Sequence, residues 1–238
     1  MNERRRPAPG HERPLGELRA PALTLFDLDH TLLAGDSDVL WCDFLMDQGV
    51  LDRATFAPRN ADMAARYQAA TVGVQAFADF YVGTLAGRTA LQWEPLRQAF
   101  LATHIVPRIG PAARALVRQH LEAGDLVVLT TATNRFITEL TAQHLGIAHL
   151  IATEVEAVDG VFTGRTQGTL NMREGKVARL HEWLAERGAQ LPQFTSTAYS
   201  DSANDLPLLQ AVDCAVAVNP DPRLREVAAQ RGWESINL

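Results

Sequence analysis

Short runs of apolar residues, each closed by polar or turn-forming residues, divide the chain. They lie at residues 22–26, 126–131, 149–155, 196–199 and 214–218. Unbroken apolar runs of this length are typical of strands covered on both faces of a parallel sheet. Segments whose apolar residues recur at helical spacing lie between them, as in the stretch that begins at Pro111 and ends at Gly124. This alternation predicts an α/β fold with a three-layer, mostly parallel sheet.

One long stretch interrupts the alternation directly after the first strand. Between residues 36 and 105 apolar residues recur only at helical spacing, as Val74, Phe77 and Tyr81 do. We predict a small all-helical cap at 36–105, inserted into a core made of residues 21–35 and 106–238. Residues 1–20, rich in arginine and proline, predict a disordered tail.

Composition narrows the function classes. The chain has 22 Lys and Arg against 28 Asp and Glu, a formal net charge of -6, and a nucleic-acid-binding domain would show a basic surplus. The N-terminal arginines are not followed by an apolar segment, and no apolar run reaches the length of a membrane span. We therefore expect a cytoplasmic protein with neither nucleic-acid nor membrane partners. Cys42 and Cys214 are expected to be buried thiols.

Polar clusters follow several of the predicted strands. Asp27 and Asp29 follow the first strand, Thr130 and Thr131 close the second, and Asp201 follows a later one. Ligands of open parallel sheets bind beyond the carboxyl ends of the strands, so these side chains are expected to converge. Three carboxylates on one rim repel each other unless a cation lies between them, and hard oxygen ligands suit Mg²⁺.

Phosphate could be bound at the same rim. Lys176, in the first turn of a predicted helix, could neutralise phosphate oxygens as a point charge. The amides of Ala132 and Thr133 lead into a helix N-terminus near Asn134 and would favour an anion. The threonine that donates its hydroxyl is expected to be Thr131, although Thr130 fits with a register shift of one.

These segments carry a resemblance to a known family. The run Asp27-Leu28-Asp29-His30-Thr31 matches the DxDxT signature of the haloacid dehalogenase-like (HAD) superfamily. Thr131, Lys176 and the acidic run from Asp201 to Asp205 follow in the family's order. The cap between the first two motifs resembles the phosphoserine-phosphatase-like branch. The resemblance implies a Rossmann-like core and a phosphatase.

The family resemblance also implies a separate role for each aspartate. Asp27 would attack phosphorus and form an aspartyl phosphate. Asp29 would protonate the leaving oxygen and then deprotonate water. Magnesium would be held by Asp27, Asp201 and the main-chain carbonyl of Asp29.

The remaining motif residues would support the transferred group. Thr131 and Lys176 would bind and stabilise the phosphoryl group. Asn204 would face the phosphate, and Asp205 would orient Lys176 or the metal shell. Thr31 would support the loop.

The sequence departs from a phosphoserine phosphatase in the cap. Such an enzyme needs an acid for the substrate amine and an arginine for its carboxylate. Asp36 stands where the acid would be, although it could equally cap the first cap helix, the role expected of Asp38. The helical segment from Val74 to Leu85 contains no arginine. Phosphoserine and histidinol-phosphate-like esters are therefore both candidate substrates, and the protein is expected to be a monomer or homodimer.

Two alternatives stay open. A phosphotransferase or mutase would keep the covalent step and change the acceptor, and a relative that lost catalysis would bind ligand without turnover. In an active enzyme we expect the whole cap to close over the site about hinges near residues 34–35 and 106–107.

Overall fold

The computed structural model describes residues 20–69 and 71–238. The predicted tail at 1–20 lies outside this part except for Ala20. Seven strands form one sheet in the order β4-β3-β2-β1-β5-β6-β7. All neighbouring pairs are parallel except β3 with β4, which are antiparallel and joined by a turn at Asp159–Gly160. The predicted α/β class is confirmed.

The elements alternate along most of the chain. The strands are β1 Ala22–Phe26, β2 Leu126–Asn134, β3 His149–Val158, β4 Val161–Gln167, β5 Thr195–Ser200, β6 Cys214–Val218 and β7 Glu234–Ile236. The helices are α1 Ser37–Asp47, α2 Arg53–Gln68, α3 Val74–Val82, α4 Ala90–Phe100, α5 Pro111–Glu122, α6 Arg135–His144, α7 Glu174–Ala185, α8 Leu206–Ala211 and α9 Pro222–Arg231.

Both faces of the sheet are covered. Successive side chains of a strand point in opposite directions, so each strand contributes apolar groups to both faces. On β1, Phe26 belongs to one buried apolar cluster, whereas Leu23 and Leu25 belong to another. The first cluster includes side chains of α5 and α6, and the second includes side chains of α7, α8 and α9. The molecule therefore has three layers, as the apolar runs predicted.

The inserted region 36–105 is helical but does not pack as a single body. Trp41 of α1 and Trp93 of α4 are fully buried in the first core cluster, together with Phe26 and Leu28. A separate cluster joins α2 and α3 through residues that include Tyr67 and Phe77. Helices α1 and α4 thus extend the core, whereas α2 and α3 pack in this separate cluster, which also takes in Cys42 of α1 and Met172.

The β3–β4 hairpin also holds the region before α4. Phe162 accepts a backbone hydrogen bond from Gly87 and donates one to Arg88. Gly164 comes so close that an added Cβ would lie 2.9 Å from the Cβ of Ala86. This backbone contact ties one side of the inserted region to the sheet edge.

Two details differ from the sequence predictions. The strand β7 was not predicted, because three residues with no apolar run carry little signal. Cys42 is buried as expected, but the expectation for Cys214 was wrong: it opens β6 at the sheet's amino end and is exposed. No helix of the described residues is long and apolar enough to cross a membrane.

Candidate active site

The loop after β1 is a tight turn built on one carbonyl. The amides of Thr31, Leu32 and Leu33 all donate to Leu28 O, at 3.3, 2.9 and 2.9 Å. Leu28 is fully buried in the first core cluster. Its two neighbours Asp27 and Asp29 line a cavity instead. Alternation at the end of the strand thus puts both carboxylates on one side.

The cavity measures about 630 Å³ and lies at the carboxyl ends of the strands. Its floor comes from the loops after β1, β2, β5 and β6, and its roof from α1, α2 and α3. The lining contains six aspartates and Lys176; it is formed by Asp27, Asp29, His30, Gly35, Asp36, Val39, Leu40, Ala64, Tyr67, Phe77, Ala132, Thr133, Lys176, Asp201, Ser202, Asp205, Asn219, Asp221 and Pro222.

Lys176 lies between two of these carboxylates. Its Nζ is 2.7 Å from Asp27 Oδ1 and 2.6 Å from Asp205 Oδ2. Asp205 Oδ2 also accepts a hydrogen bond from Ser200 Oγ at 2.7 Å. Burial lowers the pKa of Lys176, but attraction to Asp205 and Asp27 outweighs it and raises that pKa above its usual range. The lysine is therefore a fixed positive charge beside Asp27.

Asp27 and Asp201 meet at the buried hydroxyl of Thr31. The Oγ1 of Thr31 lies 2.8 Å from Asp27 Oδ2 and 3.3 Å from Asp201 Oδ1, and it accepts from the Asp201 amide at 3.0 Å. Burial, then repulsion from Asp27 and Asp205, raises the pKa of Asp201 to about 9. Burial also raises the pKa of Asp27 to about 6, against the opposing attraction of Lys176. Around Thr31, the negative charge of the carboxyl groups therefore exceeds the positive charge of Lys176.

Asp29 is held at both carboxylate oxygens. Oδ1 accepts from the Ser37 amide at 2.7 Å, and Oδ2 lies 3.0 Å from Thr133 Oγ1 and 3.5 Å from Thr131 Oγ1. Burial and repulsion from Asp36 raise the pKa of Asp29 to about 6, while the hydrogen bonds from Ser37 and Thr133 lower it. An acid in this range can both donate and accept a proton near neutral pH.

The two threonines at the end of β2 have different surroundings. Thr130 Oγ1 accepts from Asn171 Nδ2 at 3.0 Å, on the side of the sheet away from Asp29. Thr131 is fully buried, lies beside Asp29, and accepts from the Thr133 amide at 3.2 Å. Asn134 caps α6 by accepting from the Ile137 amide at 3.1 Å. The loop between Thr131 and this helix start lines the cavity through Ala132 and Thr133.

Three other predicted residues take distinct places. Asp36 lines the cavity and also caps α1, with Oδ1 accepting from the Val39 amide at 3.0 Å. Asp38 was expected to be a helix cap, which is wrong, because Asp36 has that position and Asp38 is buried beneath it. Asn204 lies half-buried on a short 3₁₀ turn and is absent from the lining formed by the described residues.

Sequence reasoning missed the residues that the cap brings into the cavity. Tyr67 and Phe77 stack with ring centroids 4.1 Å apart and form part of its roof. The helical spacing of Phe77 predicted burial, but no local pattern distinguishes a roof from a core. Thr133 was considered only for its amide, although its side chain reaches Asp29.

The profile of the haloacid dehalogenase-like hydrolases matches residues 24–210. That is more than half of the chain, so the chain belongs to this family. The predicted resemblance is confirmed, and the protein is an enzyme of a hydrolase family.

The relatives refine this placement. A histidinol-phosphatase of Neisseria meningitidis serogroup C is 40% identical over 218 residues, which cover 91% of this chain and 98% of the relative. A phosphoserine phosphatase of Mycobacterium tuberculosis is 34% identical over 221 residues, covering 90% of this chain and 70% of the relative. A solved structure of a protein of unknown function from Bordetella pertussis Tohama I has a TM-score of 0.87 at 46% identity and covers 91% of this chain and 98% of that one. The named relatives are thus phosphatases.

Proposed function

We propose that this enzyme is a magnesium-dependent phosphatase that hydrolyses a small phosphomonoester through a phosphorylated Asp27. The observation that carries the proposal is the arrangement around Asp27. Lys176 lies 2.7 Å from one of its oxygens, and Thr31 lies 2.8 Å from the other. A carboxylate fixed in this way presents an oriented nucleophile next to a positive charge, which is what phosphoryl transfer requires.

The donor set fits a magnesium ion. Asp27 and Asp201 approach each other at Thr31. The pKa of Asp201 is raised first by burial and then by the negative charge of Asp27 and Asp205, against the opposing attraction of Lys176. Among the described residues, no three His, Cys, Asp or Glu side chains converge as a ready-made metal cluster. Magnesium takes only one or two carboxylates with waters and phosphate oxygens. We therefore assign it to Asp27, Asp201 and the carbonyl of Asp29.

Each side chain then has a defined task. Asp27 attacks phosphorus, and the bond from phosphorus to the leaving oxygen breaks. Asp29 gives its proton to that oxygen and then takes one from the water that cleaves the aspartyl phosphate. Lys176, kept in place by Asp205, offsets the negative charge of the phosphoryl oxygens, and the hydroxyl of Thr131 donates a hydrogen bond to them. Magnesium held by the residues named above would supply further positive charge.

The cavity favours a substrate without a carboxylate. No arginine is found in the lining that the described residues form, and its single lysine is paired with Asp27 and Asp205. The rest of the pocket is acidic at Asp36 and aromatic at Tyr67 and Phe77. An amine could pair with Asp36, and a cationic or aromatic ring could stack on the roof. This argues for a histidinol-phosphate-like ester over phosphoserine, because the described lining offers a carboxylate neither an arginine nor a lysine that is free of Asp27 and Asp205.

Phosphate release from a panel of phosphomonoesters tests both the proposed phosphatase activity and the proposed substrate preference. With magnesium we expect kcat/KM for histidinol phosphate to exceed that for phosphoserine by at least about 10²-fold, because an unpaired buried charge is heavily penalised. A chelator should stop turnover. Asp27→Asn should lower kcat by about 10³-fold or more, since the nucleophile is lost. Near-wild-type turnover by this variant would overturn the assignment of Asp27.

Controls separate the alternatives. Asp43→Asn, an exchange of the same kind on α1 away from the lining, should retain activity. Release of free phosphate without an added acceptor excludes an obligate phosphotransferase or mutase. Magnesium-dependent binding of phosphate with no turnover of any ester would instead favour a relative that lost catalysis.

A further inference from the structure

The hydroxyl of Thr133 is surrounded by three oxygen atoms. Its Oγ1 lies 3.0 Å from Asp29 Oδ2, 3.1 Å from Asp38 Oδ2 and 3.0 Å from Ser37 Oγ. Ser37, Asp38 and Thr133 are all at most 3% exposed. The group links the proposed acid–base residue to a second carboxyl that does not line the cavity.

These contacts restrict where protons can be. A hydroxyl has one proton and two lone pairs, so Thr133 can donate to only one of the two carboxyl groups. Ser37 Oγ donates to one lone pair of Thr133. The remaining contact is a hydrogen bond only if one carboxyl is protonated and donates to Thr133. Asp29 and Asp38 cannot both be carboxylates without leaving a repulsive contact.

The surroundings indicate that the proton is on Asp38. Asp38 is 3% exposed, its Oδ1 has no hydrogen-bond partner, and in the described chain no Lys, Arg or His forms an ion pair with it. Burial, followed by repulsion from Asp36 and Asp29, raises the pKa of Asp38 well above its usual range. The N-terminus of α1 favours a carboxylate here, but the cost of burying an uncompensated charge is larger. Asp29, in contrast, has the Ser37 amide as a second donor.

We propose that Asp38 is a positioning residue that stays protonated and donates to Thr133, so that Thr133 donates its own proton to Asp29 Oδ2. With Ser37 N on Oδ1 and Thr133 on Oδ2, both oxygens of Asp29 are held, and its carboxyl group is oriented toward the leaving oxygen. This inference rests on the proposed function, in which Asp29 protonates that oxygen.

Isosteric variants and two leaving groups test it. In Asp38→Asn, Nδ2 can still donate to Thr133, and the amide oxygen takes the place of Oδ1, which already has no partner. Asp38→Leu keeps a side chain of similar size and removes the donor. Thr133→Ser keeps the hydroxyl and Thr133→Val removes it. kcat/KM would be measured on the best alkyl phosphate of the panel and on 4-nitrophenyl phosphate, whose leaving group needs no protonation.

We expect Asp38→Leu and Thr133→Val to lower kcat/KM on the alkyl ester by about tenfold to a hundredfold, which is less than loss of a general acid itself. On the nitrophenyl ester the loss should be about threefold or less. The parameter kcat/KM reports only the first step, phosphorylation of Asp27, and in that step the nitrophenyl leaving group needs no proton. Asp38→Asn and Thr133→Ser should remain near wild type on both esters. In addition, the infrared difference spectrum between wild type and Asp38→Asn at neutral pH should show the loss of one protonated carboxyl band, while the band of Asp201, whose pKa is raised to about 9, stays in both proteins.

The opposing results are distinct. If Asp38→Asn is as damaging as Asp38→Leu, the residue acts as a charged group and the inference is wrong. Equal losses on both esters would mean a purely structural role, and no loss in Asp38→Leu would remove any role. The infrared band does not depend on turnover. If wild type releases no phosphate from either ester while the band responds as expected, the proposed function fails and the protonation of Asp38 stands.

Discussion

Single side chains in this site differ in their roles because their partners differ, even between adjacent residues. Thr130 and Thr131 are identical in chemistry and neighbours in sequence. One hydroxyl accepts from Asn171, and the other lies 3.5 Å from Asp29. The orientation of each side chain on β2 thus places one hydroxyl beside Asn171 and the other beside Asp29, and the phosphate-binding role of Thr131 stays a prediction.

The two threonines make a matched pair for mutation. We expect Thr131→Val to lower kcat by about 10²–10³-fold, as for the loss of one donor to a transferring group. Thr130→Val should keep activity and lower the free energy of unfolding by at most about 1 kcal/mol, because Asn171 Nδ2 retains two backbone acceptors. Phosphate release and urea unfolding measure the two effects. The reverse pattern would move the phosphate-binding role to Thr130.

At the scale of elements, the helices of the inserted region pack in two different apolar clusters. Helices α1 and α4 share the core cluster with β1, and backbone hydrogen bonds join residues 87 and 88 to β4. Helices α2 and α3 pack in the other cluster, which also includes Cys42 of α1, and carry the roof residues Tyr67 and Phe77. Closure over a substrate would therefore involve α2 and α3, a narrower movement than that of the whole cap.

Hydrogen exchange can locate this movement. With magnesium and a phosphate analogue, we expect slower amide exchange in α2 and α3, which carry the roof, and little change in α1 and α4, whose side chains are already packed in the core. The same protein with the analogue and a chelator serves as the reference. Equal protection of all four helices would support movement of the whole cap about hinges near 34–35 and 106–107.

The contact between the hairpin and the cap can be tested with two glycines of the same hairpin. Gly164 and Gly160 both have positive φ, at +82° and +78°, but only at Gly164 would a Cβ meet another group, the Cβ of Ala86 at 2.9 Å. Both alanine variants carry the backbone strain. Gly164→Ala should cost roughly 1–3 kcal/mol more through overpacking, as measured by urea unfolding. Equal losses of unfolding free energy in the two variants would mean that the hairpin moves away from Ala86 without a further loss of stability.

For the molecule as a whole, the uncompensated acids of the site link stability to pH and to metal. The folded-state pKa of Asp201 is raised from 3.8 to about 9, and those of Asp27 and Asp29 are raised to about 6. The folded state therefore binds more protons than the unfolded state in this range. The stabilisation is complete below the unfolded pKa and is lost as pH rises through the folded pKa.

Thermal unfolding at two pH values checks this linkage. In a chelator, the contribution of these groups to Tm should fall between pH 6 and pH 9. Magnesium needs deprotonated ligands, so the rise in Tm that it produces should be larger at pH 9 than at pH 6. In Asp201→Asn the difference between the two pH values should shrink. A magnesium effect that is independent of pH would separate metal binding from these carboxyl groups.

The sequence by itself determined the layered fold and the order of the motifs. Apolar runs at strand length and apolar residues at helical spacing are local properties, and burial on both faces of a parallel sheet requires that pattern. The same local logic placed Asp27, Asp29, Thr131, Lys176 and Asp201 at strand ends or a helix start. Oligomeric state and cellular location stay predictions.

Only the tertiary structure decided which side chains meet. Lys176 reaches Asp27 across 149 positions, and Thr133 reaches Asp38 across 95, distances over which sequence spacing carries no information. The roof at Tyr67 and Phe77, the split of the cap and the exposure of Cys214 depend in the same way on packing between elements. Burial, the quantity that sets the charge state of Asp38 and Asp201, is a property of the assembled layers and not of any segment.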